Sequence, residues 1–518
     1  MIVRQSTIES SHSPEDFQGL MTKLGALVDR HEHAILAFGL VLYFIRSLAW
    51  SQATAMLPDE LLTYVQAQSP TLGALWTTLK TAPTAVDPPL NPLLSFFALR
   101  LPLPFTLALR IPEILSYAAM MLSLFVFVRR RFPPAAALFA FALPMVLPIV
   151  SFSIQNRPYA LWMAASGWAL VCWQSATREA AGGRRRVLSL CGLYVCLTVA
   201  VLTHYLGALI FLPLMAGELW RSRASGRDIP IWLTFVAGGA AILLYMPFLE
   251  AASAYRAHPW HGVFARDLEE TYMLGISATI LGAIIIAVVA HLFWKRPLES
   301  MAGEKGFPSA ECAVLTALYF TPAVMFISAI FITHSYVPRY STIFSIAVVC
   351  FVAILLFTLT SQIRGVAALL LAILFLQAAV PLRLSLRGQG TGGITAMLPP
   401  LLEKYPDLPI AMPIWDSYLR FYLFGADELK KRMVLVWDPD RLTEFGNNGS
   451  LANEAVARAM HLPHADASEF FRTHHQFLLA GTYALRNRLI EEGWTVAMLG
   501  TAYGWDLYLV TRATGPTQ

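Results

Sequence analysis

Charged side chains are scarce in this chain. Asp, Glu, Lys and Arg make up 14% of its 518 residues, against 56% hydrophobic, whereas a soluble globular protein carries about 25% charged residues. That deficit excludes an ordinary water-soluble domain and marks an integral membrane protein. Cysteine is sparse too. Cys172, Cys191, Cys196, Cys312 and Cys350 all lie inside or at the edge of apolar runs, so neither a disulfide framework nor a zinc site is expected. A basic face or tail is missing as well. The formal net charge is +5, but the positive residues fall in short clusters between apolar runs, which excludes nucleic acid as a partner.

What is abundant is hydrocarbon. About eleven runs are long enough to cross roughly 30 Å of bilayer as helices. They lie near residues 34–51, 107–128, 134–152, 158–175, 187–203, 206–220, 230–249, 272–294, 311–333, 338–359 and 365–382. The fifth and sixth are joined only by "THYLG". Residues 1–32 are too long and too acidic for a signal-peptide n-region, and no small-residue cleavage site follows the first run, which reads as a retained anchor behind a cytoplasmic tail.

Lys and Arg set the orientation. "RRR" at 129–131, Arg178 with "RRR" at 184–186, "RSRASGR" at 221–227, "KR" at 295–296 with Lys305, and Arg364 follow alternate spans, and the positive-inside rule places them in the cytoplasm. The other loops then face outward: residues 52–106, "SIQNRPY", "THY", "EAASAYRAHPWHGVFARDLEE", "THSYVPRY" and everything after about 383. Every chemically suggestive stretch falls on that side. The expected fold is therefore mainly α, a polytopic transmembrane domain over 33–382, followed by a soluble α/β domain over 383–518. In the latter, "LPIAMPIW", "RMVLVWD", "WTVAMLGTA" and "WDLYLVTR" read as strands and "SEFFRTHHQFLLAGTYALRNRLIEEG" as a helix.

The first outer loop, 52–106, is far longer than an ordinary connection, and ordered loops of that length are usually functional. Its stretches "ELLTYVQAQ" and "NPLLSFFALRL" are too short to span but suited to lying in the interface plane. Asp59 and Glu60 open the first of them, where acids also favour the positive end of a helix dipole.

The order of pieces on this face is what points further: Arg46 near the outer end of the first span, "DE" at 59–60, "DPPLNPLLSFFALRL", "ALRIPEILSYAAMMLSLFVFVRRRF", "QNRPYAL", "THYLGAL" and "VPRYSTI". From residue 34 to about 360 this resembles the GT-C membrane glycosyltransferases, and within them the branch of protein O-mannosyltransferases and bacterial lipid A aminoarabinose transferases. The resemblance implies an inverting transfer of a sugar from a polyprenyl-phosphate donor to a glycan, lipid or protein acceptor. It also implies a multi-pass protein of the bacterial inner membrane, with its site and C-terminal domain on the periplasmic side. A monomer is expected.

In such a single displacement a carboxylate beside the acceptor removes or orients its proton, and the departing phosphate needs positive charge aimed at it. Asp59 matches the family's catalytic acid, with Glu60 as a support or second ligand. For the donor phosphate the candidates are Arg339 in "VPRY" first, then Arg157, Arg46, Arg256 and His258. Asp87, His204, Tyr340, Tyr159, Trp260 and His261 complete the expected substrate-binding set. Each has a plainer alternative. Arg46 can snorkel to headgroups, Arg157 and Arg339 can anchor span ends beside Pro and Tyr, and His204 can be a buried hydrogen-bonded histidine. "RAHPWHG" can be a wet loop with an interfacial Trp.

Two departures from the family stand out. Asp87 occupies the place of a usual His, Glu or Lys before paired prolines, and Gln155-Asn156 stand where many relatives carry an acid. Asp59, Glu60 and Asp87 offer oxygen ligands to Mg²⁺ or Mn²⁺, but no spacing demands a metal and none is expected. The rival functional classes are a polyprenyl-linked sugar flippase or transporter and a non-catalytic lipid-carrier binding protein. Against a transporter, the spans hold few central charges and no internal repeat relates the halves.

Overall fold

The computed structural model describes residues 14–81, 84, 87–178, 183–253, 262–294, 307–361, 363–386, 404–425, 427–437, 449–481, 483–502 and 505–512. Each apolar run coincides with helix. Among the described residues five are single helices of spanning length: Glu32–Ala53, Phe105–Arg129, Arg184–Thr203, Ile229–Phe248 and Arg364–Leu382. Three more are bent: Pro134–Val146 with Pro148–Ile154 by 74°, Ala265–Met273 with Ala278–Phe293 by 60°, and Ser309–Tyr319 with Thr321–Thr333 by 44°. Pro148 and Pro322 stand at two of these breaks, where a missing N–H and a ring clash interrupt the helical ladder. Helices Tyr159–Ala176, Phe211–Ser225 and Phe344–Thr360 account for the other runs.

"THYLG" does separate two helices. After Thr203 a 3₁₀ turn, Tyr205–Ile210, folds back against the preceding helix. A Cβ on Gly207 would lie 1.8 Å from the carbonyl oxygen of Ala200, so only glycine fits there. The basic clusters that mark topology also tie helix ends together: Arg129 donates to Glu32 at 2.8 Å, and Arg131 and Gln174 both donate to Glu311 at 3.1 Å.

The first loop folds into three short helices, Pro58–Ala67, Leu72–Thr81 and Leu90–Ala98. The middle one is not among the sequence expectations. Pro58 opens the first helix from a β-region Leu57, a favourable N1 position.

The C-terminal region contains a six-stranded sheet in the order β3-β2-β1-β4-β6-β5. The strands are β1 Ile410–Met412, β2 Met433–Trp437, β3 His464–Asp466, β4 Gln476–Gly481, β5 Trp494–Ala502 and β6 Trp505–Arg512. β1 to β4 run parallel, with Ile410 level with Met433 and Leu478, and β6 is antiparallel to both β4 and β5. All four expected strands are present. The long helix expected over 468–493 is not: helix Ala467–Thr473, strand β4 and helix Tyr483–Glu491 share that stretch. Phe477 to Ala480 are all buried, so β4 lacks the alternation that separates strand from helix in a short apolar run. β1 and β6 supply its backbone partners.

One apolar core joins this region to the loop. Met56, Leu61, Tyr64 and Val65 pack in the same cluster as Trp415, Tyr418, Leu419 and Phe421. The helix Pro58–Ala67 is thereby fixed between the transmembrane bundle and the sheet domain.

Candidate active site

The two acids of the pair point into different surroundings. Glu60 is fully buried, at 0% side-chain exposure, against an Arg110 at 1%. Arg110 Nε and Nη2 donate to Glu60 Oε1 and Oε2, each at 2.9 Å. The backbone N–H groups of Leu57 and Asn156 add bonds of 2.8 and 2.9 Å. Arg110 spends its remaining donors on the carbonyls of Ser51, Thr54 and Ala55. Both carboxylate oxygens of Glu60 are thus engaged by protein groups. The bidentate pair locks the end of the first span, the start of the acid-pair helix and the 155–156 turn to one another.

Asp59, one residue earlier, is 41% exposed at its side chain and lies between two guanidinium groups. Arg157 Nη2 donates to Asp59 Oδ2, and Arg339 Nη2 stands 3.6 Å from the same oxygen. Arg339 Nε donates to the Tyr159 hydroxyl at 3.0 Å, and its guanidinium lies 5.7 Å from the centre of the Tyr340 ring. Arg157 is 13% exposed, and its Nε has no partner among the described residues. A buried donor left open in this way is suited to an incoming anion.

Asp87 completes the charged group. Burial first, and then the charge of Asp59, push its carboxyl up to about 7, against the pull of Arg157 and Arg339. Near neutral pH it is therefore part protonated, which reduces the negative charge that it brings to the cluster. His204 is neutral: burial, and then Arg339, lower its pKa to about 3. Its Nδ1 accepts from Leu206 N at 3.0 Å, and its ring stacks on Trp162 at 5.0 Å and 5°, with Tyr159 and Tyr340 at 5.5 and 5.8 Å. His204 belongs to an aromatic wall beside Arg339.

The structure thus gathers Asp59, Asp87, Arg157, Arg339, Tyr159, Tyr340 and His204. It does not bring Arg46 to them. Arg46 is 3% exposed, donates to the Met145 carbonyl at 2.6 Å and packs 5.2 Å from the Trp50 ring centre, so it neither joins Asp59 nor snorkels to a headgroup. Arg256, His258, Trp260 and His261 lie outside the described residues. Arg110 is the participant without a role in the sequence reading. Its signal was present as a lone Arg in an apolar stretch, where an unpaired charge is costly. No three His, Cys, Asp or Glu side chains come together as a metal cluster among the described residues.

Residues 87–249 match the family described as dolichyl-phosphate-mannose-protein mannosyltransferase. No curated protein matches the chain in sequence. Among solved structures the chain is similar to ArnT from Cupriavidus metallidurans in the apo state, at 13% identity with TM-score 0.57, covering 92% of this chain and 97% of that one. It is equally similar, at 13% identity and TM-score 0.57, to the same ArnT bound to undecaprenyl phosphate, covering 93% and 99%. The chain is a multi-pass membrane protein of the GT-C fold, and its match to the mannosyltransferase family spans residues 87–249.

Proposed function

We propose that this protein moves a sugar, with inversion, from a polyprenyl-phosphate donor to an acceptor on the periplasmic face of a bacterial inner membrane. The observation that carries the reading is a half-exposed carboxylate, Asp59, held between two arginines on the loop face. Support comes from the family signature and from undecaprenyl phosphate bound to the structurally similar ArnT.

The charges divide the labour. A donor phosphate competes with Asp59 for Arg157 and Arg339, whose forks match its oxygens. As it binds, Asp59 is released to take the acceptor proton. The acceptor oxygen bonds to the anomeric carbon, the bond from that carbon to the phosphate oxygen breaks, and polyprenyl phosphate leaves with its electron pair stabilised by the two guanidinium groups. Part-protonated Asp87 adds a hydrogen-bond donor beside the same phosphate. A divalent cation at Asp59 would have to displace Arg157, and the reading uses none.

The test supplies purified protein in nanodiscs with a panel of undecaprenyl-phosphate-linked sugars and total envelope extract. Acceptor-dependent release of undecaprenyl phosphate, with inverted configuration in the product, is expected. Binding of undecaprenyl phosphate without consumption of any donor would instead identify a lipid-carrier binding protein.

A further inference from the structure

The two ring nitrogens of His204 are chemically distinct. His204 follows the span Arg184–Thr203 and caps the turn Tyr205–Ile210, its Nδ1 accepting from the backbone N–H of Leu206 at 3.0 Å. A backbone N–H can only donate, so Nδ1 carries no proton and Nε2 carries one. Protonating Nδ1 as well would set two donors against each other, which keeps the ring neutral on geometric grounds. The backbone fixes its position: His204 N donates to the Ala200 carbonyl at 3.3 Å, and the His204 carbonyl accepts from Gly207 N at 2.7 Å. The residue is 7% exposed, and its Nε2–H has no partner among the described residues. A buried N–H without an acceptor is uncommon in a folded protein.

That open donor lies beside Arg339, because both groups pack against the same two tyrosines. The His204 ring centre is 5.5 Å from that of Tyr159 and 5.8 Å from that of Tyr340. Arg339 Nε donates to the Tyr159 hydroxyl at 3.0 Å, and its guanidinium lies 5.7 Å from the Tyr340 ring centre. Arg339 Nη2 in turn stands 3.6 Å from Asp59 Oδ2. Other donors of this neighbourhood are open too. Trp162, stacked on His204 at 5.0 Å, has an indole Nε1–H without a partner among the described residues, as has Arg157 at Nε. The Tyr159 hydroxyl accepts from Arg339 and keeps its own proton to give. These four groups all donate. A sugar hydroxyl brings a donor as well as acceptors, whereas the free oxygens of a phosphodiester only accept, so the set matches a phosphate.

We propose that His204 is a further donor to the leaving phosphate, its Nε2–H bonding a non-bridging oxygen of the polyprenyl phosphate that Arg157 and Arg339 hold. The proposal rests on the transferase reading above. As the bond from the anomeric carbon to the phosphate oxygen breaks, its electron pair stays on that oxygen, and the phosphate passes from a singly to a doubly charged group. The bond from His204 strengthens with that charge. The proton itself stays on Nε2, because the N–H of a neutral imidazole is a very weak acid.

Two substitutions separate the two nitrogens. In His204→Asn the side-chain oxygen takes over from Nδ1 as acceptor for Leu206 N, a capping position that suits Asn, and the Nε2 donor is lost. In His204→Gln the longer side chain returns an N–H near the Nε2 position and gives up the cap. Full-length protein in nanodiscs is measured for undecaprenyl phosphate affinity, for transfer from a panel of undecaprenyl-phosphate-linked sugars to envelope extract, and for melting temperature. His204→Asn is expected to bind undecaprenyl phosphate roughly 10- to 100-fold more weakly, the scale of a lost hydrogen bond to a charged group, and to lose transfer by a similar factor, with the melting temperature near wild type. His204→Gln is expected to melt lower yet bind within about tenfold of wild type. A role confined to the cap gives the reverse order, with His204→Asn at wild-type affinity and rate and His204→Gln impaired. That order overturns the proposal, as do losses of affinity that track the melting temperature across the two variants. Absence of transfer by wild type with every donor removes the transferase reading, while the lipid affinity of His204→Asn against wild type still decides whether His204 holds the phosphate.

Discussion

Asp87 makes the pH dependence of this site calculable. Its carboxyl is held at about 7 by burial and by Asp59, so by Henderson–Hasselbalch it is about one-tenth ionised at pH 6 and about nine-tenths ionised at pH 8. In the proposed function, ionised Asp87 repels the donor phosphate that Arg157 and Arg339 attract. The donor is a phosphodiester with no pKa in this range, so a titration near pH 7 belongs to the protein. The expected kcat/KM for donor is flat below pH 6 and falls above pH 7, approaching tenfold per unit, with an apparent pKa near 7 that reports the free protein. Bound phosphate raises the Asp87 pKa further, so the corresponding fall in kcat lies at higher pH. Asp87→Asn flattens both profiles between pH 6 and 8.5.

The same group enters stability with a definite sign. A folded-state pKa above the ordinary 3.8 means that the folded protein binds more protons between about pH 4 and 7, so stability falls as pH rises through that window and is level above it. Asp87→Asn is therefore expected to raise the melting temperature at pH 8 relative to wild type. An Asp87→Asn variant with the wild-type pH profile for donor kcat/KM would refute the reasoning.

Two substitutions probe the rest of the site. Arg110→Met leaves Glu60 buried without its counter-ion and is expected to cost roughly 3–5 kcal/mol, read as lost cooperative unfolding or a large drop in melting temperature in detergent. Glu60→Gln/Arg110→Met is expected to be less destabilised than the sum of the single variants. Arg339→Lys keeps the charge but loses the fork that holds Tyr159. A rise of about tenfold in donor KM is expected, with the melting temperature nearly unchanged.

Much of this was legible in the sequence because the bilayer simplifies the physics. Hydropathy alone located the helical runs, and the clusters of Arg and Lys ordered the loops. It did not reveal that three runs bend, since apolar content is the same on either side of Pro148 or Pro322. Asp59, Arg157 and Arg339 were brought together by their order along the chain and their common membrane face, and the structure places them in contact. Other features depend on which side chain turns inward, which one-dimensional order does not encode. Arg46 and Arg110 both sit near span ends, yet both are buried, and Arg110 takes the acid beside Asp59 while Arg46 bonds a carbonyl. β4 was read as helix because four consecutive buried residues carry no period.

The most direct test of the central claim is Asp59→Asn, measured for sugar transfer and for undecaprenyl phosphate binding on the same preparation. Transfer is expected to fall by about 10²–10⁴. Lipid affinity should be retained or improved, because Arg157 and Arg339 lose the carboxylate that competes with the phosphate. Transfer at the wild-type rate, or collapse of lipid binding with transfer, would contradict the account.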